Sequence, residues 1–266
     1  MALPSRFHVE LTELLNQHCR FADQRHLELL AQMVTGLLVT ETVSLDDWKA
    51  VLMLRRCQVA SWQRRCQRWF GNARIDVEQL YGPLVLWVLE QQQQQLGPTP
   101  EPALPLWLEP LVLWNRHRVV MLSVMRDGAR IPLVWRTTLA PSSSAATATA
   151  NATAAPDVVM ALLEQADQLL AGHSAITLQL DGDWAGLEAL PGWLEAHGRW
   201  QLLRNSPANS APDLFRTGEE PGLFQLTGRG MREPDTVDRL LLVVAVTVLV
   251  WHGRLPACRS ESEKSA

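Results

Sequence analysis

The chain has 266 residues and carries 24 Lys+Arg against 28 Asp+Glu, a formal net charge of −4. Apolar residues make up 47% and charged residues 20%, which excludes a disordered or collagen-like chain, and four scattered cysteines are too few for a disulfide framework. A net acidic balance excludes a protein that is basic throughout, but it says nothing about local patches.

The N-terminus carries charge inside its first apolar stretch and has no apolar run before a small-residue cleavage site, so no secretory signal is expected and the chain reads as cytoplasmic. Leu27, Leu30, Ala31, Val34, Leu37 and Leu38 fall on one helical face, and the stretches 45–54 and 77–89 repeat that period. Residues 1–90 therefore read as a helical region. Ser44 is expected to cap a helix that begins with Asp46 and Asp47 in its first turn.

Charge is segregated along the chain. Residues 1–48 hold seven acids and three bases, whereas 49–74 hold seven bases (Lys49, Arg55, Arg56, Arg64, Arg65, Arg68, Arg74) and no acid. Residues 157–198 reverse this, with seven acids and no Lys or Arg. Trp48, Trp62, Trp69 and Phe70 interleave with the basic block. That composition suits backbone phosphates with aromatic support, or else an amphipathic helix with solvated arginines and a tryptophan core. Cys57 and Cys66 lack a His at ligand spacing, so buried or free thiols are expected rather than zinc.

Gln91–Gln95 and the four prolines between 98 and 105 read as an extended Gln/Pro-rich linker over 91–105. Beyond it the pattern changes to strands. The stretches 118–126 and 130–135 are apolar and β-prone, joined by Asp127-Gly128 as a hairpin turn. Residues 140–156 contain only Ala, Ser, Thr, Asn and Pro and read as a low-complexity loop. A helix over 158–170, a strand over 175–181, a helix over 187–197 and a strand over 200–204 follow. The fold class is thus α/β, a helical N-terminal region followed by a mixed-sheet domain over 106–253 and a disordered tail over 254–266. The apolar run 240–251 is too short to span a bilayer and reads as a buried core segment, so no membrane partner is expected.

Asp181, at the carboxyl end of a buried strand and followed by Gly182, stands where open α/β sheets place metal and phosphate chemistry, or it is an ordinary turn aspartate. Glu109, before Pro110, is a second strand-end carboxylate, with a solvated edge residue as the alternative. His117, between Arg116 and Arg118, is expected on the strand surface.

Several segments resemble insertion-sequence DDE transposases of the YREK group, in colinear order from about residue 25 to 253. They are 33–39, Arg64-Arg65 through Asn72, 75–81, Leu113-Trp114-Asn115-Arg116, 131–136, 181–185, 222–226 and 239–245. The resemblance implies an RNase H-like catalytic domain, here shortened, that transfers phosphoryl groups on DNA. In that family three carboxylates hold two divalent cations, Mg²⁺ or Mn²⁺. Carried over, the first carboxylate falls on Glu109, where the family has Asp, and the second on Asp181, both as metal ligands. The third should lie shortly before Gly222, where Asp213 is the nearest acid. Only 31 residues separate Asp181 from Asp213, too few for the family's DNA-binding β-insertion. The implied function is a transposase-like DNA-binding protein with an impaired active site, or a non-catalytic DNA-binding or interaction protein of the same descent. DNA is the implied partner, with a homo-oligomer possible, and the seven bases of 49–74 are its expected contacts.

Overall fold

The computed structural model describes residues 7–19, 23–51, 56–96, 103–126, 129–140, 155–180, 187–203, 213–216, 222–226 and 231–252. The chain divides into two compact units, residues 1–91 with 212–266, and residues 92–211. The sequence reading kept 106–253 together. In the structure the C-terminal helix belongs with the N-terminal helices, because its apolar surface packs on the helix Gln24–Thr40.

The first unit contains α1 (Phe7–His18), α2 (Gln24–Thr40), α3 (Leu45–Val51), α4 (Arg56–Phe70), most of α5 (Val77–Leu96) and α8 (Pro234–Trp251). Asp23 caps α2 by accepting from the Arg25 N–H at 3.0 Å. Ser44 Oγ caps α3, as its sequence predicts, by accepting from the Asp47 N–H at 3.3 Å. Close approach of α3 to α2 depends on Gly36, where an added Cβ would lie 2.6 Å from the Trp48 Cβ. The α8 helix is apolar almost all round, and every residue from Arg239 to Val250 is buried. An interior helix is what such a surface requires. No helix among the described residues is long and apolar enough to cross a membrane.

Two short strands absent from the sequence reading, β7 (Asp213–Arg216) and β8 (Gly222–Leu226), join β1 (Thr42–Val43) in a parallel sheet of order β1-β8-β7. Another correction concerns Gln91–Gln95. The α5 helix, which already accommodates Pro83, continues through them to Leu96, since glutamine is a good helix former and the next proline comes only at Pro98. The expected 91–105 linker is correspondingly shorter.

The second unit is built on β2 (Leu104–Leu113), β3 (His117–Arg126), β4 (Ala129–Leu139), β5 (Ile176–Leu180) and β6 (Trp200–Leu203), with α6 (Pro156–Leu169) and α7 (Leu190–Ala196). The sheet order is β4-β3-β2-β5-β6. Strands β2, β3 and β4 form an antiparallel meander, and β5 and β6 run parallel to β2. The mixed sheet matches the α/β expectation. Asp127-Gly128 lie outside the described residues, but Arg126 pairs with Ala129 across them, the register of a two-residue hairpin.

Helix α6 covers the sheet face that carries Leu106, Leu108 and Leu178. From that face Arg136 reaches Gln165 and the Trp200 indole N–H donates to Asp167 at 2.7 Å. Arg199 closes the helix end, donating to Asp167 Oδ1 and to the Leu170 and His173 carbonyls.

A candidate nucleic-acid interface and a closed carboxylate

Helix α4 shows how the basic block is displayed. Trp62, Cys66, Trp69 and Phe70 recur at helical spacing and are buried, while Arg64, Arg65 and Arg68 occupy the exposed side. The tryptophans do more than fill space. Trp62 donates its indole N–H to Gln32 Oε1 at 2.9 Å, and Trp69 donates to the His26 carbonyl at 3.2 Å, tying α4 to α2 at two points. The expected aromatic support for phosphate contact is thereby corrected, because Trp48, Trp62, Trp69 and Phe70 are all core, as the alternative of a tryptophan-cored amphipathic helix has it. Burial likewise pushes the Cys66 thiol up to about 12, so it is not a reactive thiolate.

The carboxyl end of α4 is held by a residue that sequence reasoning missed. Arg239 of α8, itself buried, donates from Nη1 to the Phe70 carbonyl at 2.8 Å and from Nε to the Ile75 carbonyl at 3.1 Å. A guanidinium against the last carbonyls of a helix satisfies orphan acceptors and opposes the negative end of the helix dipole. The signal was a single cation opening an otherwise apolar run. Nothing in α8 alone names its partners, which lie 164 and 169 residues away.

The remaining basic residues divide. Lys49 pairs with Asp46 one turn earlier on α3, and Arg74 is exposed after α4. Arg55 and the Arg56 side chain lie outside the described residues. The exposed arginines of α4 and Arg74 can reach a polyanion, and a guanidinium suits phosphate because its fork of N–H donors matches two oxygens.

Glu109 is neither at a strand end nor on a solvated edge. It sits inside β2, the middle strand of five, and its side chain is 5% exposed. Its Oε2 accepts from Arg130 Nη1 at 2.5 Å, and Arg130, 6% exposed, also lies over the Trp107 ring with its Cζ 5.3 Å from the centroid. The register explains the meeting. Between Leu122 and Ser123 the pairing of β3 with β4 shifts by one residue, so Arg130 stands opposite Met125 instead of Arg126. That bulge turns Arg130 to the sheet face that Glu109 shares with Trp107 and Met121.

A guanidinium already occupies the Glu109 carboxylate, and its surroundings on that face are Trp107, Met121 and Trp135. Among the described residues no group of three or more His, Cys, Asp and Glu side chains could hold a metal. Two-metal chemistry needs several anionic oxygens converging on one spot, so the described residues do not fit it.

Asp181 lies outside the described residues. Leu180, just before it, pairs with Leu108, just before Glu109. Asp213 opens β7 in the other sheet, opposite Gly222, and its side chain is not described. His117, expected on the surface, is 0% exposed, with its ring edge-on to Trp114 at 6.3 Å. Its position opposite Leu113 and Leu139 places it inside the meander despite two arginine neighbours. Comparison with family models, with curated proteins and with solved structures returns no match.

Proposed function

We propose that the chain is a transposase-like DNA-binding protein in which the Glu109–Arg130 pair closes the carboxylate centre, so that contact with DNA phosphates remains and strand cleavage does not. The observation that carries this reading is the exposed row Arg64, Arg65 and Arg68 on a helix whose opposite side is anchored by two tryptophan hydrogen bonds. A rigid cationic helix face presents charge at a fixed spacing without ordering it on binding. The colinear resemblance and the mixed sheet support transposase descent.

The test is fluorescence anisotropy of a labelled DNA duplex over a salt series, with the triple variant Arg64→Gln/Arg65→Gln/Arg68→Gln. Wild-type protein should bind with a steep log–log salt dependence. The variant should lose about 0.9 of slope per phosphate contact removed, about 2.7 for three. Equal slopes for the two proteins would sink the assignment.

A second reading, residual metal-dependent cutting, is favoured by one observation: the Leu108–Leu180 pairing that precedes both Glu109 and Asp181. Nicking of supercoiled DNA with Mg²⁺ or Mn²⁺ separates the two. No nicking is expected. Nicking abolished by Asp181→Ala and retained in Asp183→Ala would replace the binding-only reading with the enzymatic one.

A further inference from the structure

We infer that the turn joining β2 to β3, with the adjoining strand ends, is a second phosphate-contacting surface for a DNA backbone, separate from α4. The inference rests on the DNA-binding reading above and places a contact in the sheet unit. The turn Leu113-Trp114-Asn115-Arg116 is closed by the Arg116 N–H donating to the Leu113 carbonyl at 3.1 Å. Trp114 and Asn115 both have positive φ, 52° and 51°. Asparagine tolerates that region, but a tryptophan there is strained, and strain of this kind concentrates at working sites. The strain is held in place because the Arg116 carbonyl accepts from the Ala140 N–H at 2.7 Å, fixing both sides of the Arg116 backbone.

The turn and the strand ends beside it, 110–120 and 134–140, carry Arg116, Arg118 and Arg136 and no acid. From 110 to 140 the sequence holds Arg116, Arg118, Arg126, Arg130 and Arg136, and its only acid is Asp127 at the far hairpin. Arg116 and Arg136 are exposed and Arg118 is half-buried. Arg118 stands opposite Thr138, and Arg136 opposite Val120, so the two share, on a cross-strand diagonal of about 7 Å, the face that α6 packs against, where Arg136 stays exposed while its Nη2 donates to Gln165 at 3.4 Å. Phosphates of one strand rise about 3.4 Å per step along the duplex axis, so guanidiniums about 7 Å apart match phosphates two steps apart and reach them on flexible stems.

Of the three acids of α6, Asp157 is exposed in its first turn and the other two are engaged. Glu164 accepts from the Trp193 indole, and Asp167 is held by Arg199 and Trp200. Val112 and Leu139, 39% and 53% exposed, flank the turn and offer apolar contact to sugar rings. Trp114 is no stacking platform, since its indole nitrogen is buried and its ring lies edge-on to His117. The contact is therefore with the backbone and independent of sequence.

The experiment uses the full chain, a labelled duplex and the double variant Arg116→Gln/Arg118→Gln beside the α4 triple variant. The double variant should bind more weakly and lose about 1.8 of salt slope, two phosphates at about 0.9 each. Arg116→Lys/Arg118→Lys, which keeps the charge, should recover most of that slope, a result that structural damage would not give. If the glutamine variant matches wild type in affinity and slope while the α4 variant loses both, the α4 reading stands and this surface is overturned. Wild-type protein without salt-sensitive binding would overturn both.

Discussion

Arg65 on α4 and Arg130 on β4 carry the same guanidinium in opposite settings. Arg65 stands in solvent on a helix whose other side is packed with tryptophan, and Arg130 is 6% exposed against a carboxylate. Solvated cations cost little to keep and are free to meet an external anion, whereas a buried one is stable only while its partner is charged beside it. A shared residue type thus serves two ends, an outward interface on α4 and an inward closure at Glu109. Perturbing each in turn should give very different losses of folding stability.

The largest loss belongs to the buried pair. Arg130→Met leaves the Glu109 carboxylate buried without its guanidinium and should lower unfolding free energy by about 3–5 kcal/mol in urea titrations. Glu109→Gln should cost a comparable amount. The double variant Glu109→Leu/Arg130→Met should recover most of the loss, because two apolar side chains of similar volume restore packing without a stranded charge. Additive single losses would mean that the two groups do not interact, and the closed-centre reading would go with them.

This pair also marks where the sequence stops being legible. The helices of the N-terminal region, the meander and the two parallel strands could all be read from apolar periodicity and turn residues, because those signals are local. From sequence, Pro110 makes Glu109 a strand-end carboxylate or a solvated edge residue, since a proline suggests a strand border. The proline falls after Leu108–Leu180, the last pair between β2 and β5, so it borders a stretch of β2 that β5 does not reach. Arg130 could not be paired with Glu109 in advance, because their meeting depends on a one-residue register shift that no periodicity announces. Arg239 was missed for the same reason, its acceptors being remote in sequence. On α4 the alternative of solvated arginines over a tryptophan core describes the side chains found. There 3.6-residue spacing alone separates the two sides.

Next in size is a pH effect at the second unit's helix–strand junction. Burial alone would raise the Asp167 pKa, but hydrogen bonds from Arg199 and Trp200 and the charges of Arg199 and His197 hold it below its ordinary value of 3.8. A carboxyl whose folded pKa is depressed contributes stability that is complete above the unfolded value and is lost as pH falls through the folded one. Stability measured from pH 6 downward should therefore hold to about pH 4 and then decline. Asp167→Asn should reduce stability at neutral pH by about 2 kcal/mol and flatten the acid limb. A variant that loses stability equally at all pH values would show that packing, and not charge, is what Asp167 supplies.

The smallest effect is expected where the contribution to binding is greatest. Arg64, Arg65 and Arg68 are exposed, and among the described residues the side-chain hydrogen bond found for them runs from Arg68 Nε to the Arg64 carbonyl at 3.3 Å, within the helix itself. Replacing each with Gln keeps helix propensity nearly constant and removes three like charges from one turn and a half. Unfolding free energy should therefore stay within about 0.5 kcal/mol of wild type, or rise slightly as repulsion is relieved. A loss comparable to that of Arg130→Met would mean that these arginines hold the fold together and that their exposure does not mark an interface. Retained stability with weakened DNA binding would separate α4 from the buried pair as surface from core.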